Sequence, residues 1–323
     1  MPCYIAVDLG GTQIRAARYG ADQVRQARAN LPTRAEEGPD GVLTRIEQAI
    51  RQVWPPDGGV TAIGMAAPGP LDSRRGVVYF APNLSGWKDV PLRRWLEETF
   101  GVPSFVGNDA NLAALGEHQY GAGQGVDDLI YLTISTGIGG GIILNGCLFE
   151  GGGGLGGEIG HITVDAEGPF CACGNRGCLE TLASGSAIAR AARAAVAAGR
   201  PSALVDRVGG DPSRITAKEV AQAAREGDRL SQEILRRAGF YIGAALVSLM
   251  YLLNPALFVI GGSVTKAGDL LFGPIRETVE NRAPEVYRRG VSIRPAALGD
   301  DVGLLGALAL ARGRVGGDPP RTT

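Results

Sequence analysis

The sequence predicts an α/β protein with a largely buried sheet, and three observations carry that expectation. Short apolar runs of strand length alternate with segments of helical period along the 323 residues. Hydrophobic residues make up 45% and charged residues 20%, close to a soluble globular average and far from a disordered composition. Glycine is the outlier at 50 of 323 residues, against an average of ~7%, and it clusters without a collagen-like period. At ~100 to 200 residues per domain, the length predicts two domains or one large one.

Tyr4 to Asp8 is a short apolar run stopped by Gly10-Gly11, and Ile14 to Tyr19 resumes as its hairpin partner. Val42 to Val53 places Val42, Ile46 and Ile50 at helical spacing, and Val60 to Met65 is again strand-like. Pro91 to Thr99 and Ala110 to Tyr120 read as helices on either side of a strand at Ser104 to Val106. Leu129 to Ile134 and Ile138 to Leu144 are strands about a second glycine turn. Helices follow at Ala187 to Ala198, Ala217 to Arg225 and Leu230 to Leu253, then strands at Ala256 to Ile260 and Val291 to Ile293, and a helix at Leu304 to Arg312. The apolar stretch Ile242 to Ile260 is divided by Asn254-Pro255, so a buried helix and a buried strand are expected there, not a membrane span. Gly151 to Gly154 reads as a flexible loop and Gly316 to Thr323 as a frayed end.

Lys+Arg of 32 against Asp+Glu of 33 gives a formal charge of -1, which supplies no field for nucleic acid and no acidic tail. No basic stretch, apolar run and cleavage site opens the chain, so a cytoplasmic location is expected. Five cysteines, three of them within eight residues, do not suggest a disulfide framework.

Ile5 to Tyr19 and Ile130 to Leu144 repeat one pattern: strand, small polar residue, glycine turn, strand. A glycine turn can aim several backbone N–H groups at one point, as in a phosphate-binding nest. Thr12 and Thr136 add a hydroxyl to the two turns, although a plain tight hairpin would explain either one alone. With Asp8 at a strand end beside the first turn, the pair favours a phosphate cleft in which Asp8 serves Mg2+ through water. No G-x-x-x-x-G-K-[ST] occurs, so no P-loop holds the nucleotide.

Asn108 and Asp109 stand where a strand gives way to a helix, a position that suits ordinary capping. The functional alternative makes Asp109 the base that takes a proton from an attacking substrate hydroxyl, with Asn108 orienting the same substrate. His161 and the C-x-C-x4-C run of Cys171, Cys173 and Cys178 supply three thiolates and one imidazole, the ligand set of a closed, structural zinc site. Glu158 and Glu180 flank this loop, where they read either as ordinary charges or as acceptors for a polyhydroxy ligand. Cys3 and Cys147 read as packing residues, and His118 receives no role.

Asp8-x-Gly10-Gly11-Thr12, Asn108-Asp109-Ala110-Asn111, Ser135-Thr136-Gly137-x-Gly139-Gly140-Gly141, Gly157-Glu158-Ile159-Gly160-His161 and the Cys171 to Glu180 segment together resemble the ROK family of sugar kinases, most of all its bacterial glucokinases. The resemblance runs from Ile5 to about Ala311. It implies an actin/hexokinase-like (ribonuclease H-like) α/β fold: a small domain of residues 1–109 plus 304–323, a large domain of residues 110–303, and a cleft that closes on sugar. It implies ATP-dependent phosphorylation of glucose to glucose 6-phosphate, with Asp109 as general base on the sugar 6-hydroxyl. Asn83, Asn108, Glu158, His161 and Glu180 match sugar-contacting positions of the family, with Gly69 in the loop beside them. Gly10, Gly11, Thr12 and Gln13, and Thr136, Gly137, Gly139 and Gly140, match its two phosphate turns. Gly261 and Gly262 match its adenosine turn. ATP, Mg2+ and structural Zn2+ are the implied cofactors, and a homodimer or higher homo-oligomer is the implied assembly.

One departure from the resemblance is Gln13, because many members of the family carry Lys directly after the first Gly-Gly-Thr; Arg15, two residues on, is the nearby cation able to face the same side. Kinases of the same fold for N-acetylmannosamine, mannose, fructose or allose, or one using polyphosphate, are the alternatives. ROK-like transcriptional regulators carry an N-terminal DNA-binding region, whereas few residues precede the first strand here, so the kinase is expected.

Overall fold

The computed structural model describes residues 2–56 and 58–315; the expected frayed end at Gly316 to Thr323 lies outside them. The chain opens with β1 (Cys3–Leu9), β2 (Gln13–Gly20), β3 (Arg25–Pro32), α1 (Gly38–Val53) and β4 (Val60–Ala67). Next come β5 (Leu71–Asp72), β6 (Val77–Phe80), β7 (Lys88–Val90), α2 (Leu92–Phe100), β8 (Ser104–Asn108) and α3 (Asp109–Tyr120). β9 (Leu129–Ile134), β10 (Ile138–Leu144) and β11 (Cys147–Phe149) precede α4 (Leu179–Ala183), α5 (Gly185–Ala197), α6 (Leu204–Arg207), α7 (Ala217–Arg225) and α8 (Arg229–Leu253). The chain continues through β12 (Leu257–Gly261), α9 (Asp269–Arg282), α10 (Glu285–Arg288), β13 (Ser292–Pro295) and α11 (Val302–Val315). The sheet orders are β3-β2-β1-β4-β8, β5-β6-β7 and β11-β10-β9-β12-β13.

Two compact units result. One gathers residues 1–127, 141–157 and 297–323, the other residues 128–140 and 158–296. The expected division was at 109/110 and 303/304; here residues 110–127, 141–157 and 297–303, with α3, most of β10, β11 and the start of α11, group with the first unit.

In the first unit β1 is central, antiparallel to β2 and parallel to β4, which is parallel to β8. Its side chains alternate between two cores, as strand periodicity requires. Ile5, Val7 and Leu9 pack with Val42, Ile46 and Ile50 of α1, while Tyr4 and Ala6 face Leu112, Leu304, Ala307 and Leu308 of α3 and α11. Both faces are covered, which is why β1 reads as a continuous apolar run. Small residues Ala6, Ala17, Ala62 and Ala66 let α11 lie close to the sheet, and α11 is apolar nearly all round because sheet and α3 enclose it.

In the second unit β12 runs parallel to both β9 and β13 and is buried along its whole length. The apolar stretch resolves as expected into the end of α8 and β12, and no helix among the described residues is long and apolar enough to cross a membrane. α9 escaped the sequence reading because Gly273-Pro274 punctuates it. The helix persists because α8 opposes Pro274 with Gly239, where a Cβ would fall 2.7 Å from the proline Cβ. The edge strand β3 is not anticipated from the sequence either: Ala27, Ala29 and Leu31 alternate with Arg28 and Asn30, but of its eight residues only Ala29 is buried and its apolar side chains are mostly small. The small sheet β5–β7 and the three-residue β11 are too short to register as periodic runs.

Candidate active site

Parallel pairing of β1, β4 and β8 brings their C-terminal ends to one edge of the first sheet. Asp8 stands opposite Ala66, and Ala67 opposite Asn108, so Asp8, the loop after β4 and Asn108 share that edge. This is where open α/β sheets place ligands.

The first glycine turn is closed by Gly10 N donating to Gln13 O at 2.9 Å. Thr33, fully buried, clasps it from β3's end: its Oγ1 donates to Gly10 O at 2.6 Å and its N to Thr12 O at 2.9 Å. Thr12 and Gln13 remain exposed, and Gly11 lies against Asn83, whose Cβ is 3.1 Å from where a Cβ on Gly11 would be. Asp8 sits beside this turn, paired with Arg15 across the hairpin (Nη1 to Oδ2, 3.0 Å). Burial raises its carboxyl above the ordinary Asp range, opposed by Arg15 and Arg28.

Asn108 caps α3. Its Oδ1 accepts from Ala110 N at 3.0 Å and Asn111 N at 3.1 Å, and its Nδ2 donates to Gly69 O at 3.2 Å. The cap therefore fixes the start of α3 and ties it to the Gly69 loop. Asp109, the first residue of the helix, is exposed, where the helix N-terminus favours its negative charge. Within this unit the turn at residues 10–13, Asp8 and Asn83 form one group, and Gly69, Asn108 and Asp109 another.

In the second unit the second glycine turn is held from several directions. Ser135 N donates to Gly137 O at 2.9 Å, while Gly185 N and Ser186 N at the start of α5 donate to Ser135 O and Thr136 O at 2.7 and 3.2 Å. Ser263 N, beyond Gly261-Gly262, donates to Ser135 Oγ at 3.0 Å. Gly262 has φ +91° and lies so close to Ile134 that a Cβ would fall 2.4 Å from its carbonyl oxygen, so only glycine fits. Thr136 is exposed at the tip of the turn. The candidate phosphate turn at residues 136–140 and the candidate adenosine turn at residues 261–262 are thus neighbours.

His161, Cys171, Cys173 and Cys178 bring their ligand atoms within 4.8 Å of one another. His161 turns Nδ1 toward Cys171 Sγ at 3.7 Å, and Cys173 Sγ lies 3.7 Å from Cys178 Sγ. Burial pushes the Cys178 thiol up to about 12, while the Asn175 backbone N–H, as the largest effect, lowers that of exposed Cys173. Glu180 lies in the first turn of α4, and its Oε2 accepts from Ile138 N at 2.8 Å. Glu158 is exposed, two residues before Gly160.

Thr33 and Glu117 were not singled out by the sequence. Glu117, fully buried on α3, accepts from Ala122 N at 2.8 Å, Ala297 N at 3.0 Å and Leu298 N at 2.9 Å. In the sequence it resembles any charge on a helix.

The family model described as the ROK family matches residues 4–314. A glucokinase of Thermotoga maritima is 38% identical over 314 residues, covering 97% of this chain and 98% of the relative. The crystal structure of a ROK family glucokinase from Streptomyces griseus in complex with glucose and AMPPNP matches with a TM-score of 0.82 at 37% identity, over 96% of this chain and 99% of that one. A ROK family transcriptional regulator, a homolog of the E. coli MLC protein, matches with a TM-score of 0.86 at 28% identity, over 98% of this chain and 79% of that one.

Proposed function

Because this chain belongs to the ROK family and has its actin/hexokinase-like fold, we propose that it transfers the γ-phosphoryl group of ATP to the 6-hydroxyl of glucose, forming glucose 6-phosphate. It is a sugar kinase; glucose and ATP are the finer part of the reading. The observation that carries it is the carboxylate of Asp109, exposed on the first turn of α3 behind a cap tied to Gly69, in a chain so similar along its length to a glucokinase.

Phosphoryl transfer is mostly positioning and charge stabilisation, and orientation alone can supply ~7 to 11 kcal/mol. In this reading Asp109 accepts the proton of the sugar hydroxyl as its oxygen attacks phosphorus. Asn83, Asn108, Glu158, His161 and Glu180 hold the sugar hydroxyls beside the Gly69 loop. The backbone of residues 10–13 and 136–140, with the hydroxyls of Thr12 and Thr136, receives the phosphates, and the turn at Gly261-Gly262 receives the adenosine. Mg2+ would arrive with the nucleotide and neutralise phosphate charge, held by Asp8 through water, since one Asp8 oxygen is already engaged by Arg15.

The set His161, Cys171, Cys173 and Cys178 fits a structural zinc in donor chemistry and in spacing. Zinc there would staple the loop and leave the second nitrogen of His161 for sugar. A cytoplasmic homodimer, entering sugar breakdown at its first phosphorylation, completes the reading.

The test is ADP release from Mg-ATP with a panel of hexoses. Turnover with glucose that far exceeds that with N-acetylmannosamine, mannose, fructose or allose supports it. Preference for another of these sugars would keep the kinase and replace its substrate, and turnover with polyphosphate alone would replace the donor. The likeness to a transcriptional regulator favours a second reading, a sugar-binding sensor, which requires sugar binding without turnover from either donor.

A further inference from the structure

We infer that Glu180 is a positioning residue that couples nucleotide affinity to sugar affinity, because it grips the second glycine turn from the start of α4, directly after the loop of the Cys/His cluster. The inference rests on the reading of residues 136–140 as a donor-phosphate turn and of Glu180 as a sugar ligand.

Ile138, which follows Gly137 in the second glycine turn and opens β10, donates its backbone N–H to Glu180 Oε2 at 2.8 Å. The contact is close: a Cβ on Gly137 would fall 2.3 Å from that same oxygen. The other side of the residue is held as well. Gly160 abuts the Ile138 carbonyl so closely that a Cβ there would lie 2.0 Å from the oxygen. Both gripping residues are tied to the zinc-type cluster, Gly160 directly preceding His161 and Glu180 lying two residues after Cys178. The turn is thus set by the same two segments that place His161 and Glu180 for the sugar.

A sugar hydroxyl that donates to Glu180 alters the orientation and the charge available to Ile138 N–H, and a phosphate oxygen at the turn alters them from the opposite direction. Two ligands that bias one shared group have coupled affinities, and the coupling is reciprocal: the factor by which glucose changes nucleotide binding equals the factor by which nucleotide changes glucose binding.

Calorimetric titration with Mg-AMPPNP, with and without saturating glucose, tests this on the wild-type chain, Glu180→Ala, Glu180→Gln and Gly137→Ala. A hydrogen bond to a charged acceptor is worth about tenfold in an equilibrium. Glu180→Ala is therefore expected to weaken AMPPNP roughly tenfold in the absence of sugar and to abolish the effect of glucose on it. Glu180→Gln keeps an acceptor and should restore sugar-free AMPPNP affinity to within about threefold of wild type. Gly137→Ala, whose Cβ would displace the carboxylate from the turn side, should reproduce the loss with Glu180 itself unsubstituted. Zinc content and melting temperature report whether each variant is folded. If Glu180→Ala weakens glucose while sugar-free AMPPNP affinity stays at the wild-type value, Glu180 is a sugar ligand only and the inference is overturned. If the wild-type chain binds neither glucose nor AMPPNP, the kinase reading itself falls, and the inference with it.

Discussion

Arg15 Nη1 donates to Asp8 Oδ2 at 3.0 Å, so this cation beside the first glycine turn is committed to the carboxylate there. Cross-strand register fixes this partnership, since Asp8 and Arg15 stand directly opposite each other on β1 and β2. Gln13, in the place where related kinases often carry Lys, is exposed and brings no charge. In the proposed reading, charge neutralisation at this turn would rest on backbone N–H groups and on the metal that accompanies the nucleotide. Asp8 can assist that metal only when ionised, and burial opposes ionisation by raising its pKa while Arg15 favours it.

Arg15→Gln removes that support. The Asp8 pKa should rise further, because desolvation is then less opposed. Activity that needs ionised Asp8 is lost as pH falls through that pKa, so the acid limb of kcat/KM should move to higher pH. A pH–rate profile of both proteins measures this, and superimposable limbs would remove Asp8 from the metal's service.

Asp109→Asn keeps the size of the side chain and abolishes its basicity. Turnover should fall by ~10² to 10⁴ with glucose affinity close to wild type, since the amide still fills the same place at the start of α3. Steady-state kinetics together with a glucose titration separates the two quantities. Near-normal kcat would end the base role for this residue.

What the sequence revealed and what it hid divide along chain separation. The Cys/His cluster was legible because its cysteines fall within eight residues, and the structure brings their ligand atoms and that of His161 within 4.8 Å of one another. Asp8 and the two glycine turns were legible because a strand end, a glycine pair and a hydroxyl are consecutive. Thr33 closes the first turn from 23 residues away, Glu180 reaches Ile138 across 42, and Glu117 reaches Ala297 across 180. No local pattern encodes such partners. α9 was hidden for another reason: Gly273-Pro274 is a breaker by propensity, and only the facing Gly239 makes room for it.

The His161–Cys178 set predicts one zinc per chain, with a pH dependence of stated sign. Thiols bind zinc as thiolates, so protons must leave as the metal enters. With Cys178 pushed up to about 12 by burial, its proton is present at neutral pH until zinc displaces it. Zinc affinity should therefore be weaker at about pH 6.5 than at about pH 8, as read by competition with a chelator at the two pH values. Cys173→Ser should lose the metal and lower the melting temperature. A zinc-free wild-type chain with full activity and an unchanged melting temperature would refute the structural role.

Glu117 should prove a stability residue of the first unit. Its carboxylate is fully buried and serves three backbone donors, at Ala122, Ala297 and Leu298. Two of them belong to the segment that leads into α11, the helix covering one face of the first sheet. Glu117→Ala strips all three of their acceptor in a place where water cannot replace it. Hydrogen bonds to charged groups contribute ~1.5 to 3 kcal/mol each and are not additive, so a loss of about 3 kcal/mol or more is expected. Glu117→Gln keeps one acceptor oxygen and should lose less, because one amide oxygen can still serve the donors at Ala297 and Leu298. Denaturant unfolding of the two variants and the wild type orders them. Equal stability of Glu117→Ala and wild type would mean that these backbone groups find other partners.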